Sequence, residues 1–194
     1  MKPVIDWVGA ALLLILFSPV VAVVALAVAL SSGGPVIFRQ KRVGLDGQLF
    51  TVYKFATMIG DRRLASLPRE GTERRTSHKR DNDPRLTPVG RHLRRWSLDE
   101  LPQLWNVLRG EMSLVGPRPE LPSIVAGFAP WQHERHAVKP GMTGFWQVYA
   151  RGDGSVMHQR TDLDVDYVRQ VSLWTDIKVL LLTLPAIVGL RRGF

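Results

Sequence analysis

Apolar residues dominate the first thirty positions of the chain, and shorter alternating stretches follow. From Val4 to Leu30 the sequence is apolar almost throughout, interrupted by Asp6 near its start and by a Ser18-Pro19 pair near its middle. At about 1.5 Å per residue, a helix of this length matches or exceeds the ~30 Å hydrocarbon core of a bilayer. The pattern therefore predicts a membrane-embedded helix at the N-terminus.

Three interpretations of this segment compete. A cleaved signal peptide would have a shorter apolar core and a small-residue cleavage site. A single spanning helix fits the length. A re-entrant helix-break-helix, entering and leaving by one face, is favoured because Pro19 removes a backbone hydrogen bond and Ser18 can satisfy the freed carbonyl. Cations at both ends also favour it under the positive-inside tendency: Lys2 before, and Arg39, Lys41 and Arg42 after. We assign residues 1–34 to this segment and residues 35–194 to a second domain.

The remainder of the chain mixes strand and helix patterns, so the predicted fold class is α/β (α+β). Residues 36–40 and 49–55 predict a strand hairpin around a Gly-rich turn. The patterns that follow predict a helix over 89–96, a helix from about Leu98 to Leu108, a short buried strand at 114–115 and a strand over 145–149. Two more helices are predicted over 159–170 and 173–190. The second of these is expected to lie on the membrane or to pack on the core.

Composition narrows the classes of function. Lys and Arg total 26 against 17 Asp and Glu, giving a formal charge of +9. Such an excess suits nucleic acid, anionic membrane or phosphorylated substrates, and the lack of nucleic-acid-binding signatures beside an apolar N-terminus favours the last two. The chain has no cysteine, which excludes disulfides, zinc-thiolate sites and a cysteine nucleophile.

Two adjacent carboxylates, Asp99 and Glu100, follow Arg94 and Arg95 by about one helical turn. Neighbouring side chains point in different directions, so one carboxylate can reach a substrate atom while the other reaches a bound metal. The alternative is structural: Ser97 would cap a helix whose third residue is Glu100, with both acids in the first turn. The residues alone leave both interpretations open.

The stretch around this pair resembles a known family. SLDELPQLWNVLRGEMSLVGPRP at 97–119, and KPGMTGFWQV at 139–148, are similar to the bacterial sugar transferases, the monotopic phosphoglycosyl transferases. The similarity runs from the apolar segment to about Leu180. The second motif also resembles the C-terminal half of larger polytopic relatives, so the sequence leaves open whether this chain is naturally short or part of a longer one.

The resemblance implies an enzyme that starts surface glycan or exopolysaccharide synthesis. Asp99 would attack a UDP-sugar, release UMP and carry a covalent sugar phosphate, which passes to polyprenol (undecaprenyl) phosphate, with Glu100 in support. Two rivals remain: a one-step transferase that uses Asp99 as a base, and a non-catalytic basic membrane scaffold. The bacterial inner membrane, with the catalytic domain facing the cytoplasm, is the expected location.

Further site residues are expected to bind substrate or phosphate. The resemblance implies Lys54, Arg118, Arg151 and Asp164, while the excess of guanidinium groups over nearby acids suggests phosphate contacts for Arg85, Arg94 and Arg95. Lys54 could instead be a solvated strand end, and Asp164 could pair with a neighbouring arginine. The chain has Ala56 where relatives commonly have arginine, and Tyr149-Ala150 where they often have a small residue and glycine.

A carboxylate attacking a diphosphate needs cations, so Mg²⁺ near Glu100 is the expected cofactor. The expected partners are a UDP-sugar donor, a polyprenol phosphate acceptor and inner-membrane lipid. Nucleic acid is not expected, and a homodimer is left open.

Overall fold

The computed structural model describes residues 1–59, 85–150 and 157–187, and combines helices with two small sheets. The strands are β1 (Ile37–Val43), β2 (Leu49–Phe55), β3 (Ser113–Val115) and β4 (Gly141–Thr143). The α-helices are α1 (Lys2–Ser32), α2 (Pro88–Arg95), α3 (Gln103–Leu108), α4 (Pro122–Val125), α5 (Phe145–Tyr149), α6 (Thr161–Arg169) and α7 (Leu173–Ile187). The mixed fold class is confirmed.

The first sheet is the predicted hairpin. β1 and β2 pair antiparallel with Ile37 opposite Phe55 and Val43 opposite Leu49. The second sheet was predicted only in part: β3 pairs in parallel with β4, Ser113 opposite Gly141. Between the sheets lies the larger apolar core, formed by Phe50 and Val52 of β2, side chains of α3 and β3, and Tyr167 and Val179 of α6 and α7.

Asn106 of α3 joins the hairpin to the helix that follows the acid pair. Its side chain is fully buried. Its Oδ1 accepts from the Tyr53 N–H at 3.2 Å, and its Nδ2 donates to the Thr51 carbonyl and to Glu111 Oε2, each at 2.7 Å. Because Lys54 follows Tyr53 directly, this amide fixes where the Lys54 side chain lies.

Replacing Asn106 by leucine is expected to lower the free energy of unfolding by about 2–4 kcal/mol. The substitution removes the partner of the Tyr53 N–H, of the Thr51 carbonyl and of Glu111 Oε2, and an unsatisfied polar group that is shielded from water costs about 1–3 kcal/mol. Denaturant unfolding of detergent-solubilised protein measures the change. Gln159→Leu, at an exposed position, is the control and should stay within about 0.5 kcal/mol. Equal stability of the two variants would contradict this role.

The N-terminal helix runs unbroken from Lys2 to Ser32, with Pro19 inside it. Ser18 Oγ donates to the Ile15 carbonyl at 2.8 Å, the carbonyl that a residue with an N–H at position 19 would have bonded. The predicted hydrogen bond from Ser18 to the freed carbonyl is therefore present, while the helix continues through Pro19 and a break there stays a prediction. By length and composition α1 is able to cross a membrane.

Both halves of α1 pack against the same domain. Ala10, Leu13 and Leu14 of the first half contact the larger core. The second half joins a smaller core with Phe55 and Leu93, to which it contributes Val21, Val24, Ala25 and Val28. Ala56, the residue noted above as standing in place of an arginine, packs on this smaller core.

Polar contacts hold the start of α1 to the domain. Lys2 Nζ donates to Asp176 Oδ2 at 2.5 Å and to the Val115 carbonyl at 3.1 Å. Asp6 Oδ1 accepts from the Leu114 N–H at 3.1 Å. Asp6 is thus buried against β3, and satisfies an edge group of that strand.

One strand prediction is wrong. Residues 145–149, rich in aromatic and β-branched side chains, form helix α5 rather than a strand. The turn places Trp146, Gln147 and Val148 inward, and Phe145 packs edge-on against Tyr167 with ring centroids 5.4 Å apart. Packing on the core has overridden the local preference for strand.

Candidate active site

The acid pair lies just before a helix rather than in its first turn. Residues Leu98–Glu100 form a single 3₁₀ turn, and α3 begins only at Gln103. Pro102 lacks the N–H that would continue the earlier turn into a helix. The predicted start near Leu98 is therefore wrong.

Ser97 does not cap this turn. Its backbone is left-handed, with φ 55° and ψ 20°, and its side chain makes no capping hydrogen bond. Such a conformation is uncommon for a residue other than glycine. The structural alternative for the pair, a capped helix start, is therefore not what the chain forms.

Glu100 is held by two cations that come from opposite directions along the sequence. Its Oε1 accepts from Lys54 Nζ at 2.8 Å. The Arg118 guanidinium grips both of its oxygens, at 2.5 Å to Oε1 and 3.2 Å to Oε2. Burial alone would raise the pKa of Glu100, but Arg118 and Lys54 outweigh it and hold the pKa well below its usual value. Glu100 is therefore ionised at neutral pH.

Asp99 stands beside this cluster and differs from Glu100. Within the described residues its carboxylate has no hydrogen-bond or ion-pair partner. Burial, and then the charge of Glu100, raise its pKa to about 6, although Lys54, Arg94 and Arg118 act in the opposite direction. Two adjacent carboxylates thus differ in their surroundings: one is neutralised by cations, and the other makes no ion pair within the described residues.

Arg94 is oriented by a residue that the sequence did not single out. Its Nε donates to Thr57 Oγ1 at 2.9 Å, at the end of β2. α2 lies close to this point because Gly90 faces the Thr57 backbone, where an added Cβ would lie 2.1 Å from the carbonyl oxygen. Arg94 lies near enough to lower the pKa of Asp99, and its binding of phosphate stays a prediction.

Three other arginines were also predicted to contact phosphate. Arg85 is half-buried, and its carbonyl accepts from the Ile59 N–H at 2.8 Å, while Arg95 is exposed in the last turn of α2. Arg151 lies outside the described residues. Binding of substrate by these three arginines stays a prediction.

Arg118 lies on a rigid segment between β3 and α4. Pro117 and Pro119 flank it and restrict its backbone. Gly116 lies against the backbone of residues 139–141, where an added Cβ would come within 2.5 Å of a carbonyl oxygen. The side chain therefore leaves a nearly fixed backbone and reaches Glu100.

Asp164 lies in α6 and is almost fully buried. It is 1% exposed and its Oδ2 lies 2.7 Å from Arg135 Nη2, so the structure favours the alternative of pairing with an arginine. Despite Arg135, burial raises the pKa of Asp164 to about 6. Direct contact between Asp164 and substrate stays a prediction.

Sequence reasoning missed Asn106, Thr57 and Arg135, which support Lys54, Arg94 and Arg118 respectively. Each acts through a partner at least 17 residues away in sequence. A polar residue inside an apolar helix, such as Asn106, was the one available signal.

The donor set suits Mg²⁺ only with oxygens from a substrate. No group of three or more potential ligand residues occurs among residues 1–59, 85–150 and 157–187. Glu100 Oε1 already accepts two bonds, whereas Oε2 accepts one. Since Mg²⁺ commonly binds one or two carboxylates together with substrate phosphates, Glu100 Oε2 and Asp99 fit such an ion.

Comparison with known proteins identifies the family. A family model described as bacterial sugar transferase matches residues 1–189. The chain is 43% identical to an undecaprenyl-phosphate glucose phosphotransferase of Komagataeibacter xylinus over 204 residues, 100% of this chain and 37% of that protein. It is 42% identical to a UDP-glucose:undecaprenyl-phosphate glucose-1-phosphate transferase of Caulobacter vibrioides over 200 residues, 100% of this chain and 72% of that one.

A third relative carries a different sugar in its name. An undecaprenyl-phosphate galactose phosphotransferase of Salmonella typhimurium is 41% identical over 198 residues, 99% of this chain and 41% of that protein. The chain thus spans well under half of two of these relatives and most of the third. Because the family match covers almost the whole sequence, including the acid pair and both flanking motifs, this chain belongs to the bacterial sugar transferase family.

Proposed function

We propose that this protein transfers a sugar 1-phosphate from a UDP-sugar to undecaprenyl phosphate and releases UMP. The relatives' names describe that reaction for those proteins. The observation that carries the proposal is the difference between the two neighbouring carboxylates. Glu100 forms ion pairs with Lys54 and Arg118, whereas Asp99 forms none within the described residues. This arrangement provides a nucleophile beside three cations.

The first displacement would use Asp99 directly. One carboxylate oxygen attacks the sugar-bearing phosphorus, the phosphorus–oxygen bond to UMP breaks, and UMP leaves with the bonding electrons. Asp99 then carries the sugar phosphate as an acyl phosphate. Lys54, Arg94 and Arg118 offset the charge that develops on the phosphate oxygens.

The second displacement would regenerate the carboxylate. A phosphate oxygen of undecaprenyl phosphate attacks the same phosphorus, and the bond to Asp99 breaks. Mg²⁺, when bound at Glu100 Oε2 and Asp99 with substrate oxygens, would supply further charge neutralisation. Glu100 itself, held ionised by its two cations, keeps those cations in place throughout both steps.

Undecaprenyl phosphate is a membrane lipid, and the protein has two exposed apolar surfaces that would contact a membrane. α1 exposes large apolar side chains along its outer face, among them Trp7, Ile15 and Leu30. α7 packs Val179 on the core and exposes a second stripe: Leu173, Trp174, Ile177, Leu180, Leu181 and Leu184. We propose that α1 is re-entrant in the inner membrane, since both of its halves contact one domain, and that this domain faces the cytoplasm, where UDP-sugars are made.

Single cysteines test this topology, because the chain has none of its own. Pro3→Cys and Gly34→Cys, both at exposed positions near the ends of α1, are expected to react with a membrane-impermeant thiol reagent in inverted vesicles and not in intact spheroplasts. Leu16→Cys, which would lie in the bilayer, is the unreactive control. Labelling of the two ends from opposite sides would refute the re-entrant arrangement.

The pH dependence of the first displacement is expected to show an acidic limb at about 6. Burial and Glu100 raise the pKa of Asp99 to about 6, and the carboxylate attacks only when ionised, so kcat/KM should rise with pH up to that value and then level off. Glu100 adds no limb there because its pKa lies well below the usual value. UMP release measured between pH 4.5 and 8 gives the profile, and a limb below pH 5 would contradict the assignment.

The function itself is tested with protein in vesicles that contain undecaprenyl phosphate and Mg²⁺. A panel of UDP-sugars should yield UMP and an undecaprenyl diphosphate sugar with at least one donor, and the active donor identifies the sugar. Vesicles without undecaprenyl phosphate are the control for hydrolysis. Binding to anionic vesicles without turnover of any donor would favour the scaffold over the enzyme.

A further inference from the structure

Behind the Arg118 segment lies a buried ion pair that the proposed reaction does not use. Arg135, in the 3₁₀ segment Pro130–Ala137, is 2% exposed, and Asp164 of α6 is 1% exposed. Arg135 Nη2 lies 2.7 Å from Asp164 Oδ2. The pair therefore joins two elements of the domain beneath its surface.

Arg135 also contacts the segment that carries Arg118. Its Nη2 donates to the Arg118 carbonyl at 2.5 Å. From the same residue, the Arg118 guanidinium leaves in the direction of Glu100. A continuous line of contacts thus runs from Asp164 through Arg135 and the Arg118 main chain to Glu100.

Hydrogen bonds on either side already hold this segment: the Gly141 N–H donates to the Pro117 carbonyl at 2.9 Å, and Arg42 Nη1 donates to the Pro119 carbonyl at 3.1 Å. A cavity of about 10 Å³ lies beside it, lined by Arg118, Arg135, His136 and neighbouring residues, which is room for about one water molecule. The hydrogen bond from Arg135 holds the Arg118 carbonyl, which lies between those two carbonyls and beside the cavity.

Stability is a poor explanation for the pair. Replacing a buried ion pair by apolar side chains is often neutral or stabilising. Here the cost of burial is increased because Arg135 Nε and Nη1, both buried, have no hydrogen-bond partner in the described structure. An apolar pair at these positions would not donate a hydrogen bond to the Arg118 carbonyl, as Arg135 does.

We propose that Arg135 is a positioning residue for the transfer reaction, held by Asp164, and that it fixes the Arg118 main chain so that the guanidinium grips Glu100 through both oxygens. The inference rests on the proposed function for its kinetic consequences, but not for its structural ones. It gives Asp164 a role behind the site and needs no contact between Asp164 and substrate.

The test removes both charges together, so that no buried charge is left alone. Arg135→Met/Asp164→Leu keeps an apolar pair at the joint and deletes the hydrogen bond to the Arg118 carbonyl. The chain offers a matched control, since Arg169 Nη2 and Glu134 Oε2, 3.0 Å apart and exposed, join the same two elements. Arg169→Met/Glu134→Leu deletes that pair and leaves the Arg118 segment untouched.

The kinetic readout is kcat, KM and the acidic limb of the pH profile. In Arg135→Met/Asp164→Leu we expect kcat to fall about 10- to 100-fold, in the range of one lost electrostatic contact, with KM for the UDP-sugar changed less than threefold. The limb should move to higher pH, because Arg118 lowers the pKa of Asp99 and would lie farther away. The control should match wild type in all three, and an equal loss in both double variants would overturn the proposal.

A spectroscopic readout separates this inference from the proposed function. Arginine side-chain ¹⁵N NMR, with the Arg118 signal assigned by its absence in Arg118→Lys, reports slow rotation and slow hydrogen exchange for a guanidinium held by two bonds. We expect the slow Arg118 signal in wild type and in the control, and its loss in Arg135→Met/Asp164→Leu. Retention of the slow signal there overturns the inference whether or not any donor is turned over, while absence of turnover in wild type counts against the function alone.

A conservative variant keeps the test decisive if the double variant does not fold. Arg135→Lys keeps a cation opposite Asp164 but cannot reproduce the guanidinium's reach to two partners. A stable protein with an intermediate kcat and a weakened Arg118 signal supports positioning by the hydrogen bond. Wild-type values for both readouts would overturn it.

Discussion

Replacing Asp99 by asparagine is expected to lower kcat for sugar-phosphate transfer by at least about 10³-fold and to abolish covalent labelling of the protein. Asparagine keeps the size of the side chain but cannot attack phosphorus. The measurement is UMP release from the preferred UDP-sugar, with and without undecaprenyl phosphate. Asp46→Asn, at the exposed turn between β1 and β2, is the control and should keep wild-type activity.

The same substitution should make the protein more stable, which separates loss of chemistry from loss of fold. Burial raises the pKa of Asp99 to about 6 from 3.8. Ionisation of this carboxylate therefore lowers the free energy of unfolding as the pH rises from about 4 to 6, and the full loss is present above pH 6. The neutral amide removes it, so the free energy of unfolding at pH 7.5 should rise by about 1–3 kcal/mol, with the gain disappearing below about pH 4. A melting temperature lower than wild type at pH 7.5 would contradict this account of Asp99.

Replacing Arg118 by methionine is expected to lower kcat about 10²- to 10³-fold. Glu100 would lose the hydrogen bonds that Arg118 donates to both of its oxygens and keep only the ion pair with Lys54. The pKa of Glu100 would rise, because Lys54 alone would oppose the effect of burial. The developing charge on phosphate would lose one of its nearest cations. Steady-state kinetics at saturating UDP-sugar measures the change.

Two further variants show whether geometry or charge is responsible. Arg118→Lys keeps the charge but supplies a point donor in place of a planar fork, so its kcat should lie between those of wild type and Arg118→Met. Arg109→Met removes an exposed arginine that pairs with Glu111 at 3.3 Å and should stay within about twofold of wild type. An Arg118→Lys protein as active as wild type would show that charge alone suffices.

Local patterns predicted the elements whose structure is decided locally. The hairpin of β1 and β2 followed from alternation around a glycine turn, and α2 begins as expected, with the Thr87 side chain accepting from the Gly90 N–H at 2.8 Å. Residues 145–149 failed because packing against Tyr167 decides their conformation, and the sequence does not show that neighbour. The acid pair was found by its motif, but its place before α3 depended on the missing N–H of Pro102.

The sequence did not show which residues that are far apart in the chain pair with each other. Lys2 looked like a cation flanking a membrane helix, yet it pairs with Asp176, 174 residues away. Arg135 drew no prediction from the sequence and is fully enclosed. In both cases burial decides the role, and burial depends on elements that meet only in the folded domain.

Intact-protein mass spectrometry without acceptor tests the central claim most directly. Protein mixed with Mg²⁺ and its preferred UDP-sugar, with no undecaprenyl phosphate present, is expected to gain the mass of one sugar phosphate, located on Asp99 by peptide mapping, while UMP is released in equal amount. Added undecaprenyl phosphate should remove that mass and yield the lipid product. Turnover with acceptor, but no added mass and no UMP release without it, would contradict the aspartyl intermediate and support a one-step transfer.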